Sequence, residues 1–158
     1  MEMTARQSFK TSDGVELAYY VDDYTDPWTT PETILLCHGN NESHRAWYGW
    51  VPHLARHYRV VRPDMRGFGD STPMPRDFSW TLDIVIDDYV RLMDHLGIDK
   101  FHLVGAKIGG VINRAFAARK PDRVHTLTVV GSPPPVRGPA VAGAQVANQR
   151  YTGFTRAR

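Results

Sequence analysis

Apolar positions along the chain change period several times, and each change marks an element. Residues 7–22 hold two short alternating runs joined at Asp13-Gly14, a dipeptide suited to positive φ. In the second run Leu17, Tyr19 and Val21 alternate with Glu16, Ala18 and Tyr20, which predicts an antiparallel hairpin at a sheet edge. "TILLCHG" is continuously apolar and ends in glycine, as expected of a strand covered on both faces. In "SHRAWYGWVPHLARH", Trp47, Trp50, Val51 and Leu54 share helical spacing. An amphipathic helix is expected there, capped by Ser43 and kinked or shortened by Pro52.

"YRVVRPDM" predicts another short buried strand, followed by a loop rich in glycine and proline. "TLDIVIDDYVRLMDHLG" is the clearest helix. Leu82, Val85, Ile86, Tyr89, Met93 and Leu96 lie on one side, Asp87 and Arg91 stand four apart on the other, and Gly97 stops it. "KFHLVGA" then predicts a buried strand, "IGGVINRAFAARK" a helix ended by Pro121, and "RVHTLTVVGS" a further buried strand. Apolar strands alternating with helices at this spacing predict an α/β fold, a parallel sheet with helices on both faces. Residues 1–132 form the expected core. Residues 133–158, rich in Pro, Gly, Ala and Arg, are expected to be a poorly ordered tail.

Composition narrows the function classes. The formal net charge of +2 arises from four arginines after Pro133, a region without acidic residues, and the remainder is slightly acidic. No basic face with interleaved aromatics is present, so nucleic acid is not an expected partner. No apolar run approaches the ~20 residues of a membrane span, and the N-terminus shows no secretory h-region. Cys37 is the one cysteine, which excludes an internal disulfide and thiolate metal clusters. A cytoplasmic location is the resulting expectation.

Three stretches carry chemistry, in order: "LLCHGNNES", "RPDMRGFGDS" and "LVGAKIGG". The last is a strand-to-helix turn with glycines at 105, 109 and 110. It is so tight that its apex, Lys107, is expected to take a strained conformation with φ > 0. Gly105 and Gly109 let strand and helix approach closely, and the apex side chain projects at the carboxyl end of the sheet, where open α/β sheets bind ligands. Together the three stretches resemble the α/β-hydrolase superfamily over about residues 7–132. The resemblance implies a His-Gly oxyanion loop at His38 and Gly39, an Asp-x-Arg-Gly loop at Asp64, and a nucleophile elbow whose apex is Lys107 where that family carries a nucleophile such as serine. It also implies an oxyanion hole made from the backbone N–H groups of Asn40 and Ile108. No cofactor is implied, and the implied activity is hydrolysis of a small, largely apolar carbonyl substrate: an ester, a lactone or a diketone cleavable at a C–C bond.

The departure from that family is specific. Its base and carboxylate come from beyond the sixth strand, and here no histidine, aspartate or glutamate follows Ser132. The expectation is therefore a hydrolase fold truncated after about its sixth strand. Lys107 has two readings. A neutral amine, favoured by desolvation and a helix N-terminus, attacks a carbonyl or forms a Schiff base. Alternatively the chain is a binding protein or incomplete fragment without turnover, with the ammonium paired to a ligand or an acidic neighbour. An uncovered sheet edge offers self-association. His38, Asp64, Arg66, Ser71 and Cys37 are assigned structural roles, Trp47 and Trp50 packing roles. His53 and His57 lack a companion carboxylate, so no metal site is expected.

Overall fold

The computed structural model describes residues 4–132. The strands are β1 (Gln7–Lys10), β2 (Glu16–Asp22), β3 (Thr33–Cys37), β4 (Arg59–Pro63), β5 (Phe101–Ala106) and β6 (Val124–Val130), forming one sheet in the order β1-β2-β4-β3-β5-β6. The hairpin is antiparallel and pairs antiparallel with β4, whereas β3–β4, β3–β5 and β5–β6 are parallel. Gly14, at φ 81°, makes the expected hairpin turn.

The alternation within β3 explains the two cores. Leu35 and Cys37 face the side covered by α2 (Leu82–His95) and α3 (Ile108–Arg119), where Tyr89, Leu92, Met93, Ile112 and Phe116 meet them. Ile34 and Leu36 face the other side, against Trp47, Val51 and Ala55. Burying each such Leu or Ile contributes about 1.5–3 kcal/mol. Along α2, Asp87 and Arg91 form the expected exposed ion pair at 2.6 Å, and Gly97 closes the helix with φ 68°.

Two expectations are corrected. The helix anticipated over residues 43–57 is two short pieces, a 3-10 turn at His44–Trp47 and α1 at Val51–Leu54. Pro52 lies in the first turn of α1, where its missing N–H is harmless; further along it would interrupt the hydrogen-bond ladder. Ser43 does cap the first piece, accepting the Arg45 N–H. Trp47 and Val51 are buried, but Trp50 remains 39 % exposed. The second correction concerns β6, expected to be buried: it is one of the two edge strands of the described sheet, opposite β1, and His125 and Thr126 on it are exposed.

The connections locate the candidate site. From β3 the chain passes to β4 on one side, and from β5 to β6 on the other, so the sequence order reverses between the neighbours β3 and β5. Ligands of open α/β sheets bind at such a reversal, outside the carboxyl ends of the strands. The loops carrying residues 38–42 and 107 both leave from that point. Residues 133–158, expected to form the tail, lie outside the described residues. Among the described residues no helix is long and apolar enough to cross a membrane.

Candidate functional site

The turn from β5 to α3 is as sharp as its glycines require. Lys107 has φ 52° and ψ −118°, in the left-handed half of conformational space that side chains disfavour. Its backbone is tied on both sides: the Lys107 N–H donates to the Val130 carbonyl at 3.0 Å, and Ser132 Oγ donates to the Lys107 carbonyl at 2.6 Å. A Cβ at Gly105 would sit 2.5 Å from the Gly109 carbonyl oxygen, and one at Gly109 would sit 2.3 Å from the Cys37 carbonyl oxygen. These glycines therefore press α3 onto both β5 and the end of β3.

That contact brings the Lys107 side chain over Gly39, where an added Cβ would lie 2.8 Å from Lys107 Cδ. The amine is not desolvated. Its side chain keeps 60 % of its exposure, and Nζ donates to Glu42 Oε1 in an ion pair. The other carboxylate oxygen, Oε2, accepts the buried Gly39 N–H at 2.8 Å. The Lys107 ammonium, chiefly, holds the Glu42 carboxyl below its ordinary value of 4.5. Glu42 turns back onto Gly39 through Asn41, whose φ is 57°. The N–H groups of Asn40 and Ile108 meet no acceptor among the described residues, and both residues are exposed. The arrangement thus offers one ammonium and free backbone donors at an open surface. Two clefts among the described residues lie elsewhere, one of about 280 Å³ beside Asp13 and Arg66, the other of about 370 Å³ at the amino end of the sheet near Lys100.

The surrounding charges support the loops. His38 is fully buried; its Nε2 accepts the Met65 N–H at 3.0 Å, so Nδ1 carries the hydrogen and donates to the Gly39 carbonyl at 2.8 Å. Burial lowers its pKa, and with both nitrogens occupied it fixes the loop. Asp64 accepts the His44 backbone N–H at 2.6 Å, the His44 ring and the Asp70 N–H at 2.8 Å, while Ser71 Oγ donates to the Asp64 carbonyl. Asp64 and Arg66 do not pair with each other. Arg66 forks onto the buried Asp88 at 2.6 and 2.7 Å and reaches back to Asp13 on the hairpin turn. His44, Asp64 and Asp70 are close enough to share a cation, but these hydrogen bonds already use both oxygens of the central carboxylate. Burial pushes the Cys37 thiol up to about 12, as befits an inert core residue.

The residue not anticipated from the sequence is Glu42. Its only sequence signal is its place, three residues after Gly39 and following an asparagine, a residue that tolerates positive φ.

Comparison with known proteins bears on this geometry. The model of the alpha/beta hydrolase fold family matches residues 32–153. A 2-hydroxymuconate semialdehyde hydrolase of Pseudomonas sp. (strain CF600) is 39 % identical over 102 residues, which are 63 % of this chain and 36 % of that protein. Epoxide hydrolase 2 of Siraitia grosvenorii is 39 % identical over 98 residues, 60 % of this chain and 30 % of that protein. Among solved structures, the enol-lactonase of Burkholderia xenovorans LB400 superposes with a TM-score of 0.70 at 28 % identity, over 77 % of this chain and 45 % of its own. A hydrolase from Pseudomonas aeruginosa PA01 gives 0.75 at 28 %, over 83 % and 47 %. The chain therefore spans about a third of the length of these curated relatives and under half of these solved structures.

Proposed function

Because the chain belongs to the α/β-hydrolase fold family, we propose that its elbow receives a small, largely apolar carbonyl compound without using Lys107 as a nucleophile. The carbonyl oxygen rests on the backbone N–H groups of Asn40 and Ile108, and Lys107 stands beside it as a fixed positive charge. The ligand class is an ester, a lactone or a diketone. The names of two of the similar proteins, a semialdehyde hydrolase and an enol-lactonase, support a carbonyl ligand, and a third is named an epoxide hydrolase. The observation that carries the reading is the ion pair between Lys107 and Glu42. An ammonium has no lone pair, so Lys107 cannot add to a carbonyl carbon while it donates to Glu42. Binding and polarisation by backbone donors need no such lone pair.

One observation favours a second reading. The Lys107 side chain is 60 % exposed, so a reactive carbonyl can reach the amine whenever the pair opens. In that reading the amine, after losing a proton to solvent, adds to a ketone or aldehyde and expels water as a Schiff base.

Incubation with 2,4-pentanedione or benzaldehyde, reduction with borohydride and mass-spectrometric mapping separates the two. The binding reading predicts no enrichment of label on Lys107 over Lys10, Lys100 and Lys120, together with shifts of the Asn40 and Ile108 amide resonances on adding methyl benzoate. Selective labelling of Lys107, abolished in Lys107→Ala, installs the second reading in its place. Unmoved amides at 40 and 108 remove the carbonyl site.

A further inference from the structure

The Glu42 carboxylate is a carboxylate already seated on the elbow. One oxygen receives the Lys107 ammonium and the other the Gly39 N–H at 2.8 Å, so both are engaged by different donors. The seat is shaped for a flat group against bare backbone: a Cβ at Gly39 would lie 2.6 Å from Glu42 Oε2 and 2.8 Å from Lys107 Cδ. Any side chain at position 39 would push the carboxylate off. The tether is short. Glu42 is three residues from the N–H it caps, and the intervening Asn41 is held at φ 57°. Glu42 is only partly buried, with 24 % of its side chain exposed, so it can swing into water.

We propose that this is an exchange site: Glu42 is its resident occupant, and a small monocarboxylate from solution takes its place between Lys107 Nζ and the Gly39 N–H. The proposal rests on the carbonyl-binding reading only in sharing its location, and it adds the anionic class of the competing ligand. Glu42 acts as a gate, because the ammonium is satisfied internally until an external carboxylate replaces it. A neutral ester or amide cannot, since neither offers a charged oxygen pair to the ammonium.

The test uses benzoate as the probe, benzamide as its neutral counterpart and the amide resonances of the full chain as the readout. Wild-type protein binds benzoate weakly, with a saturable shift at Gly39. If Glu42 holds the seat about nine-tenths of the time, Glu42→Gln binds benzoate about tenfold more tightly. Lys107→Ala in the Glu42→Gln background abolishes the shift, and benzamide produces none in any variant. Glu42→Ala serves as a second variant with the same expectation, and preserved dispersion of the β3 and β5 resonances verifies the fold. Equal affinity in wild type and both Glu42 variants overturns the proposal, as does benzoate binding that survives Lys107→Ala. Methyl benzoate distinguishes the two ideas. If it shifts Asn40 and Ile108 while benzoate leaves Gly39 unmoved, the exchange site fails and the carbonyl reading stands. If benzoate shifts Gly39 while methyl benzoate shifts nothing, the carbonyl reading fails and the exchange site stands.

Discussion

Lys107 sits where glycine would be most comfortable, and that discomfort has a measurable size. At φ 52° and ψ −118° its backbone occupies a sparsely populated region, which costs about 1–3 kcal/mol for a residue with a Cβ. Lys107→Gly removes that strain. Against it stand the extra freedom of glycine in the unfolded chain, roughly 0.5–1 kcal/mol, and the lost pair with Glu42. That pair has a 60 % exposed lysine, so solvent screening leaves it worth about 0–1 kcal/mol. Taking central values, Lys107→Gly is about 0.5–1 kcal/mol more stable than the parent. Lys107→Ala keeps the strain and loses the pair, so it falls about 0.5 kcal/mol below the parent. Glycine should therefore exceed alanine at this position by about 1 kcal/mol, whereas within an ordinary helix alanine exceeds glycine by about that amount. Urea unfolding followed by circular dichroism reads the difference as a midpoint gap of about 0.3–1 M. If alanine proves the more stable, the elbow is unstrained and the account of residue 107 is wrong.

Other consequences follow from the same contacts. Gly109→Ala places a Cβ 2.3 Å from the Cys37 carbonyl and 2.6 Å from that of His38, both backbone atoms. It should lose about 3 kcal/mol in chemical denaturation, and a loss below about 0.5 kcal/mol would show the helix is not pinned there. Arg66→Ala strands the buried Asp88 carboxylate without its partner and should cost about 3–5 kcal/mol by the same assay; a near-neutral effect would contradict the buried fork. Along β6, His125→Lys puts a charge on the exposed outer strand and should reduce concentration-dependent self-association in sedimentation velocity. A wild-type chain that stays monomeric at all concentrations removes this expectation.

Much of this architecture is written locally. The continuous run at 33–37 specifies β3, which is buried throughout, whereas β2 is buried on both faces at Leu17–Tyr20 although its sequence alternates. The elbow is legible for a steric reason. Glycines at 105 and 109 are needed where backbone meets backbone, and the tight reversal they permit has a positive φ at Lys107 between them. Residues 43–57 misled because helical spacing of apolar residues persists through Pro52, whereas the backbone can satisfy its hydrogen bonds only by restarting there. The expectation of a buried β6 comes from its apolar content alone, which does not tell whether a neighbour covers it, whereas truncation after the sixth strand implies an uncovered edge. The partner of Lys107 was hidden because 65 residues separate it from Glu42, and no period connects them. The same holds for Arg66, whose partners lie 22 and 53 residues away.

The apex amine is paired with a carboxylate that also caps the loop following β3. A pH titration of the Gly39 amide resonance tests it most directly, since that N–H donates to Glu42 at 2.8 Å. Because the folded-state pKa of Glu42 lies below its unfolded value of 4.5, the stabilisation it gives is present above 4.5 and fades as the pH falls through the folded value. The Gly39 signal should therefore titrate with a midpoint below 4.5, the midpoint should rise towards 4.5 in Lys107→Ala, and the titration should vanish in Glu42→Gln. A midpoint that Lys107→Ala leaves unmoved, or a Gly39 resonance indifferent to Glu42, would contradict it.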